Sequence, residues 1–198
     1  MADVLFSFVE AMNALPDNTT RLISPDDVRS AFLSLTADRG SCYADDDAAP
    51  WVIPIPAVDT WVDINAAIFG DIVDDPGNLF WRTDANGRLV YDYQGDWPPT
   101  VIPTELVRDV LMFANVSIDP GNSAWQFAIA INGVPQEPAA TVDLSTQADS
   151  ITIPVSVSQG LKPADSLPVS VQVRNLTGAD DLTLQHLSMN TLGGPYPS

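Results

Sequence analysis

Two carboxylates facing one sugar are enough to cleave a glycosidic bond, one as general acid and the other as nucleophile or base. Asp63, Asp71, Asp92 and Asp96 fall among Trp61, Trp81, Tyr91, Tyr93 and Trp97, the mixture of acids and flat apolar rings that a sugar cleft uses. Turn aspartates and core-edge tryptophans are equally ordinary in an all-β domain, and that reading is preferred, so no enzymatic activity is expected. A ligand patch on Trp81, Tyr91, Tyr93 and Trp97 is the form in which these residues would bind a glycan. Other chemistries lack their parts. One histidine, His186, does not make a histidine-based zinc site or a serine-type triad. One cysteine, Cys42, forms no internal disulfide and has no catalytic neighbours. Asp45-Asp46-Asp47 lacks the spaced ligands and closing glutamate of a calcium loop and reads as a solvated linker. No phosphate loop, dinucleotide fingerprint or nucleophile elbow occurs, so neither cofactor nor metal is expected.

The charge narrows the partners. The 198 residues include 26 acids and 8 lysines and arginines, for a net charge of −18, which opposes binding to nucleic acid or to an anionic membrane. Only Glu10, Glu105 and Glu137 are glutamate, so 23 of the 26 acids are aspartate, a turn and cap residue that helix interiors disfavour. With 17 prolines and 11 glycines beside them, the composition implies strands joined by many turns. The first residues lack the positive flank of a signal peptide, and no apolar run approaches the ~20 residues of a spanning helix. A soluble chain made in a cytosol is the expectation.

Two short helices are expected to lead the chain. Val4, Leu5, Phe8, Val9, Met12 and Leu15 fall at helical spacing before Pro16. Ser24-Pro25-Asp26-Asp27 then supplies a cap, a first-turn proline and two acids ahead of the stripe Val28, Ala31, Phe32 and Leu35. Neither helix is long enough to be stable alone, so each needs a surface to cover. Residues 36–50 read as a polar connection, which divides the chain into an anchor arm, 1–50, and a β domain, 51–198. Strands are expected at Trp51–Ile55, Trp61–Ile68, Leu79–Thr83, Arg88–Tyr93, Leu106–Ile118, Ala124–Ile131, Ile151–Ser158, Val169–Arg174 and Leu182–Met189. Asn86-Gly87 and Asn132-Gly133 both signal type I′ hairpins, and Pro154 inside a strand signals an edge or a bulge. By alternation with Leu182 and Leu184, His186 belongs on the inner face or on a subunit axis. Short strands separated by turns, without a strand–helix–strand rhythm, imply a mainly β antiparallel jelly-roll sandwich behind a helical arm.

Two stretches resemble known proteins. Asp17-Asn18-Thr19-Thr20, followed by Ile23-Ser24-Pro25 and Asp27-Val28-Arg29, is similar to a segment of tailed-bacteriophage structural proteins. Asn115-Val116-Ser117-Ile118, Trp125 to Val134, Val169 to Asn175 and Asp181 to Leu184 resemble the tumour necrosis factor-like jelly roll of phage fibre and decoration proteins. Ala164-Asp165 stands where that family commonly has Gly-Asp, a small departure. The resemblance implies a homotrimer with Ile129, Ile131, Val171, Val173, Leu184 and His186 at the subunit interface. It further implies a head-decoration (cement) protein on the outer capsid surface, with the major capsid protein as partner. Asp17, Asn18, Thr19, Thr20, Ile23, Val28, Arg29 and Phe32 would be its anchor. The chain has no long shaft between the two matched regions, which favours a capsid decorator over the alternative, a trimeric tail-fibre head that recognises a host-surface glycan or protein.

Overall fold

A computed structural model describes residues 39–45, 49–74, 81–92, 107–119, 121, 123–145 and 149–193. The two leading helices and the eight anchor residues from Asp17 to Phe32 lie outside the described residues, as do Tyr93, Asp96 and Trp97.

The described chain opens on β1 (Arg39–Asp45), β2 (Trp51–Ile53), β3 (Val62–Asp63), helix α1 (Ile64–Ala67), β4 (Val73–Asp74), β5 (Trp81–Thr83) and β6 (Leu89–Tyr91). Longer strands follow: β7 (Arg108–Ile118), β8 (Ala124–Ile131), β9 (Val134–Pro135), β10 (Ala140–Asp143), β11 (Ile151–Leu161), β12 (Pro168–Asn175) and β13 (Leu182–Gly193). One sheet runs β11-β7-β13-β1-β4, with β2 also on β13; the second runs β10-β8-β12-β6-β5, with β3 on β12 and β9 on β8. Every pairing is antiparallel.

Alternation produces the core. Val110, Met112, Ala114, Val116 and Ile118 of β7 face inward with Ile153, Val155 and Val157 of β11, and meet Trp125, Phe127, Ile129, Val169, Val171 and Val173 of the second sheet. Pro154 sits on β11, an edge strand, where a missing N–H costs no ladder bond. The edge expectation holds.

Several elements differ from the sequence reading, each for a physical reason. Residues 39–45 are a strand of the first sheet, so the sandwich begins before residue 51. Its inward positions are Gly40, Cys42 and Ala44, too small to register as a hydrophobic stripe, yet Cys42 and Ala44 are buried. Small size is required there: a methyl on Gly40 would lie 2.6 Å from Trp81 Cγ. Trp61–Ile68 is not one strand, because Asp63 caps a helix by accepting from Ala66 N at 3.1 Å. Asn132 and Gly133 both have positive φ, as a type I′ turn requires. At Asn86-Gly87 only the glycine does, and Asp84 Oδ1 accepts from the N–H groups of Asn86 and Arg88. That turn is the longer hairpin form with a single left-handed glycine.

Asn65 joins the layers. It is fully buried; its Oδ1 accepts from Val171 N at 2.8 Å, and its Nδ2 donates to Gly87 O at 2.8 Å and Met189 Sδ at 3.2 Å. The strands β6 and β3 pair with residues 168–169 and 172–173 of β12, and the Asn65 amide fills the gap between them. Asn65→Ala should lower unfolding stability by about 2–3 kcal/mol, the cost of leaving Val171 N–H without an acceptor, and urea denaturation measures it.

Candidate functional site

Asp63, Asp71 and Asp92 each hold a different part of the frame. Asp63 Oδ2 accepts from Arg88 Nε at 2.9 Å and from Ser170 Oγ at 3.0 Å, besides capping α1 through Oδ1. Asp71 accepts from Trp51 Nε1 at 2.7 Å, and Asp92 pairs with Arg82 Nε at 3.2 Å. Two of the four aromatic residues, Trp81 and Tyr91, lie inside the sandwich. Trp81 and Tyr91 are 1% and 0% exposed, with ring centroids 4.7 Å apart, because they fill the core over Gly40 rather than a surface cleft. Arg174 covers one face of Trp61, 4.7 Å from its centroid, while bonding Asp59 and Gln126. Asp143 is held below the ordinary carboxylate range through the hydroxyl and then the N–H of Ser145, and it locks the turn after β10.

The residues expected at a subunit interface divide. Ile129, Ile131, Val171, Val173 and Leu184 are buried in this chain's own core, so they have no side-chain surface left for a neighbour. His186 does not share their face. The register of β13 shifts between Leu184 and His186, and this bulge exchanges the two faces: Leu182 and Leu184 point inward before it, Leu187 and Met189 after it. His186 is turned outward, with Nδ1 3.5 Å from Asp45 Oδ1.

The bulge leaves His186 at the margin of the outer face of the first sheet, which the register lays out in four rows. Asp45, His186, Ser117 and Thr152 form the first, and Tyr43, Ser188, Asn115 and Pro154 the second. Ser41, Asn190, Phe113 and Ser156 follow, then Arg39, Leu192, Leu111 and Ser158. Across these positions the only charges are Arg39 and the Asp45–His186 pair. Tyr43, Leu111, Phe113 and Leu192 are between 38% and 50% exposed, and Val73 continues the second row beyond Tyr43. Arg39, Ser41, Phe113, Asn190 and Leu192 line a depression of about 260 Å³. The second sheet is the charged one: the Arg82–Asp92, Arg88–Asp63 and Arg174–Asp59 pairs all attach to it. A face with so few charges and with exposed rings, on a chain of net charge −18, has the composition of a contact surface. The sequence signal was present in Val110-Leu111-Met112-Phe113, where apolar residues occupy both phases of the alternation.

No family model matches this sequence, and no curated protein matches it. Solved structures do. The PRD1 vertex protein P5 superposes with a TM-score of 0.50 at 7% identity, covering 80% of this chain and 73% of that one. Eiger TNF from S. frugiperda superposes with a TM-score of 0.45 at 11% identity, over 80% of this chain and 94% of that one. The likeness is one of fold. This chain is a mainly β jelly-roll sandwich of two antiparallel sheets.

Face and core respond differently to substitution. Phe113→Asp should change monomer stability by no more than about 0.5 kcal/mol, as an exposed site. Trp81→Ala should cost about 3–5 kcal/mol, as a core truncation. Thermal melting of the two variants compares them.

Proposed function

We propose that this protein is a virion structural protein that assembles as a homotrimer and decorates the outer capsid shell as a cement protein, with no enzymatic activity. The observation that carries the reading is the sparsely charged outer face of the first sheet, with its exposed tyrosine, phenylalanine and leucines. Two copies, each of charge −18, repel wherever their acids meet, and this face lets them approach with little charge opposed. Its mixture of Tyr43, Phe113, Leu111 and Leu192 with serine and asparagine suits a contact made after folding, since the residues remain soluble in the free monomer. A cyclic arrangement closes such a contact without leaving it open to further growth.

The capsid role rests on other supports. The segment from Asp17 to Arg29 resembles phage structural proteins, and a vertex protein shares the jelly-roll fold. In this reading residues 1–35 bind the major capsid protein while the jelly roll stands outside the shell, its acids facing solvent. Neither nucleic acid nor membrane is a partner in this reading, because a net charge of −18 opposes both.

The purified protein should have a native mass of about 64 kDa, three times its 21.2 kDa, and Phe113→Asp should reduce it to a monomer. A wild-type monomer at micromolar concentration would overturn the trimer. Deleting residues 1–35 should leave the trimer folded and abolish co-sedimentation with capsids of the parent phage. Decoration by the truncated chain would sink the assignment of the arm.

A further inference from the structure

Arg39 stands apart from the other arginines whose side chains are described. Of the arginines whose side chains are described, Arg82, Arg88 and Arg174 each have an aspartate at 2.9–3.2 Å. Arg39 makes no ion pair among the described residues, in a chain where acids outnumber basic residues 26 to 8. It is exposed, at the rim of the depression beside Leu192 and Phe113. A cation left unmatched among so many carboxylates is placed to receive one from outside the chain.

The same end of the same face holds the complementary charge. Asp109 is two residues along β7 from Leu111, so it shares the outward phase, and it too is exposed. Its partner position on β11 is Gly160, which has no side chain to cover it. Leu192 and Leu111 stand between Arg39 and Asp109 in the register. Two strand spacings and one two-residue step put their Cα atoms about 12 Å apart, and no hydrogen bond or ion pair joins them.

We propose that Arg39 of one copy pairs with Asp109 of the next, so that three copies form a ring of six alternating charges at this end of the interface. The occupant of the face is thus a second copy of this chain, and the inference rests on the trimer reading above. A face with a cation on one side of an apolar strip and an anion on the other is complementary to a rotated copy of itself. The three cations and three anions sum to zero at this end of the interface. The pairing also selects one hand of approach, because the reverse orientation sets Arg39 against Arg39 and Asp109 against Asp109.

A charge swap tests the ring in the full chain. Arg39→Asp and Asp109→Arg should each raise the trimer dissociation constant at least about tenfold, and the double variant should return it to within about threefold of wild type. Native mass spectrometry and sedimentation equilibrium read the constants, and circular dichroism confirms that each exposed substitution leaves the fold intact. Added salt should weaken wild type and the double variant more than either single variant. If wild type is trimeric but the single variants match it, or the double variant is as weak as the singles, the ring is overturned and the trimer stands. If wild type is monomeric, both readings fall together.

Discussion

Because successive side chains of a strand point to opposite faces, β7, β11 and β13 can fill a core only by presenting their alternate residues on the other side. The inner set is Val110, Met112, Val116, Ile153, Val155, Leu187 and Met189, and it is spent within the chain. Once that set is chosen, the outer set is chosen as well: Leu111, Phe113 and Leu192 among serines and asparagines. A one-residue slip would exchange the two faces and expose the core, so the register that stabilises the monomer also composes its outer face. The bulge in β13 is where the two requirements meet. It moves Leu187 into the core and His186 out of it, beside Asp45.

Polar groups do the joining that apolar residues cannot. The second sheet's central strand, β12, lacks a continuous partner between β6 and β3, and an unpaired Val171 N–H there would be costly. Asn65 removes that cost and reaches the first sheet through Met189. Asp63 does the equivalent outside, tying α1, Arg88 and Ser170 together. The ionic attachments therefore gather on the second sheet. On the outer face of the first sheet Arg39 and Asp109 stand singly among serines, asparagines and exposed apolar residues.

Much of the frame was legible in the alternation of β7, β8, β11, β12 and β13, and in the turn chemistry of Asn132-Gly133. The short elements were not. Gly40, Cys42 and Ala44 alternate as clearly as any valines, but their burial comes from close approach to Trp81 rather than from hydrophobic bulk. Asp63 switches a strand to a helix by a capping bond that a run of apolar residues conceals. The apolar residues expected at an interface lie on the inward phase. Ile129, Val171 and Leu184 have the apolar character of an interface, and the sandwich itself consumes it. Trp81 and Tyr91 have the rings of a ligand platform, and the core takes those too.

The sequence by itself determined the class: a strongly acidic, turn-rich, mainly β chain. These are properties of composition and of spacing along one strand, where every interacting residue is a near neighbour. Tertiary structure alone decided which face of each strand is inside, where the charges gather, and that Arg39 and Asp109 lie at one end of one surface, 70 positions apart in the chain. Those outcomes depend on cross-strand register and on a single bulge, and neither leaves a local mark in the order of residues.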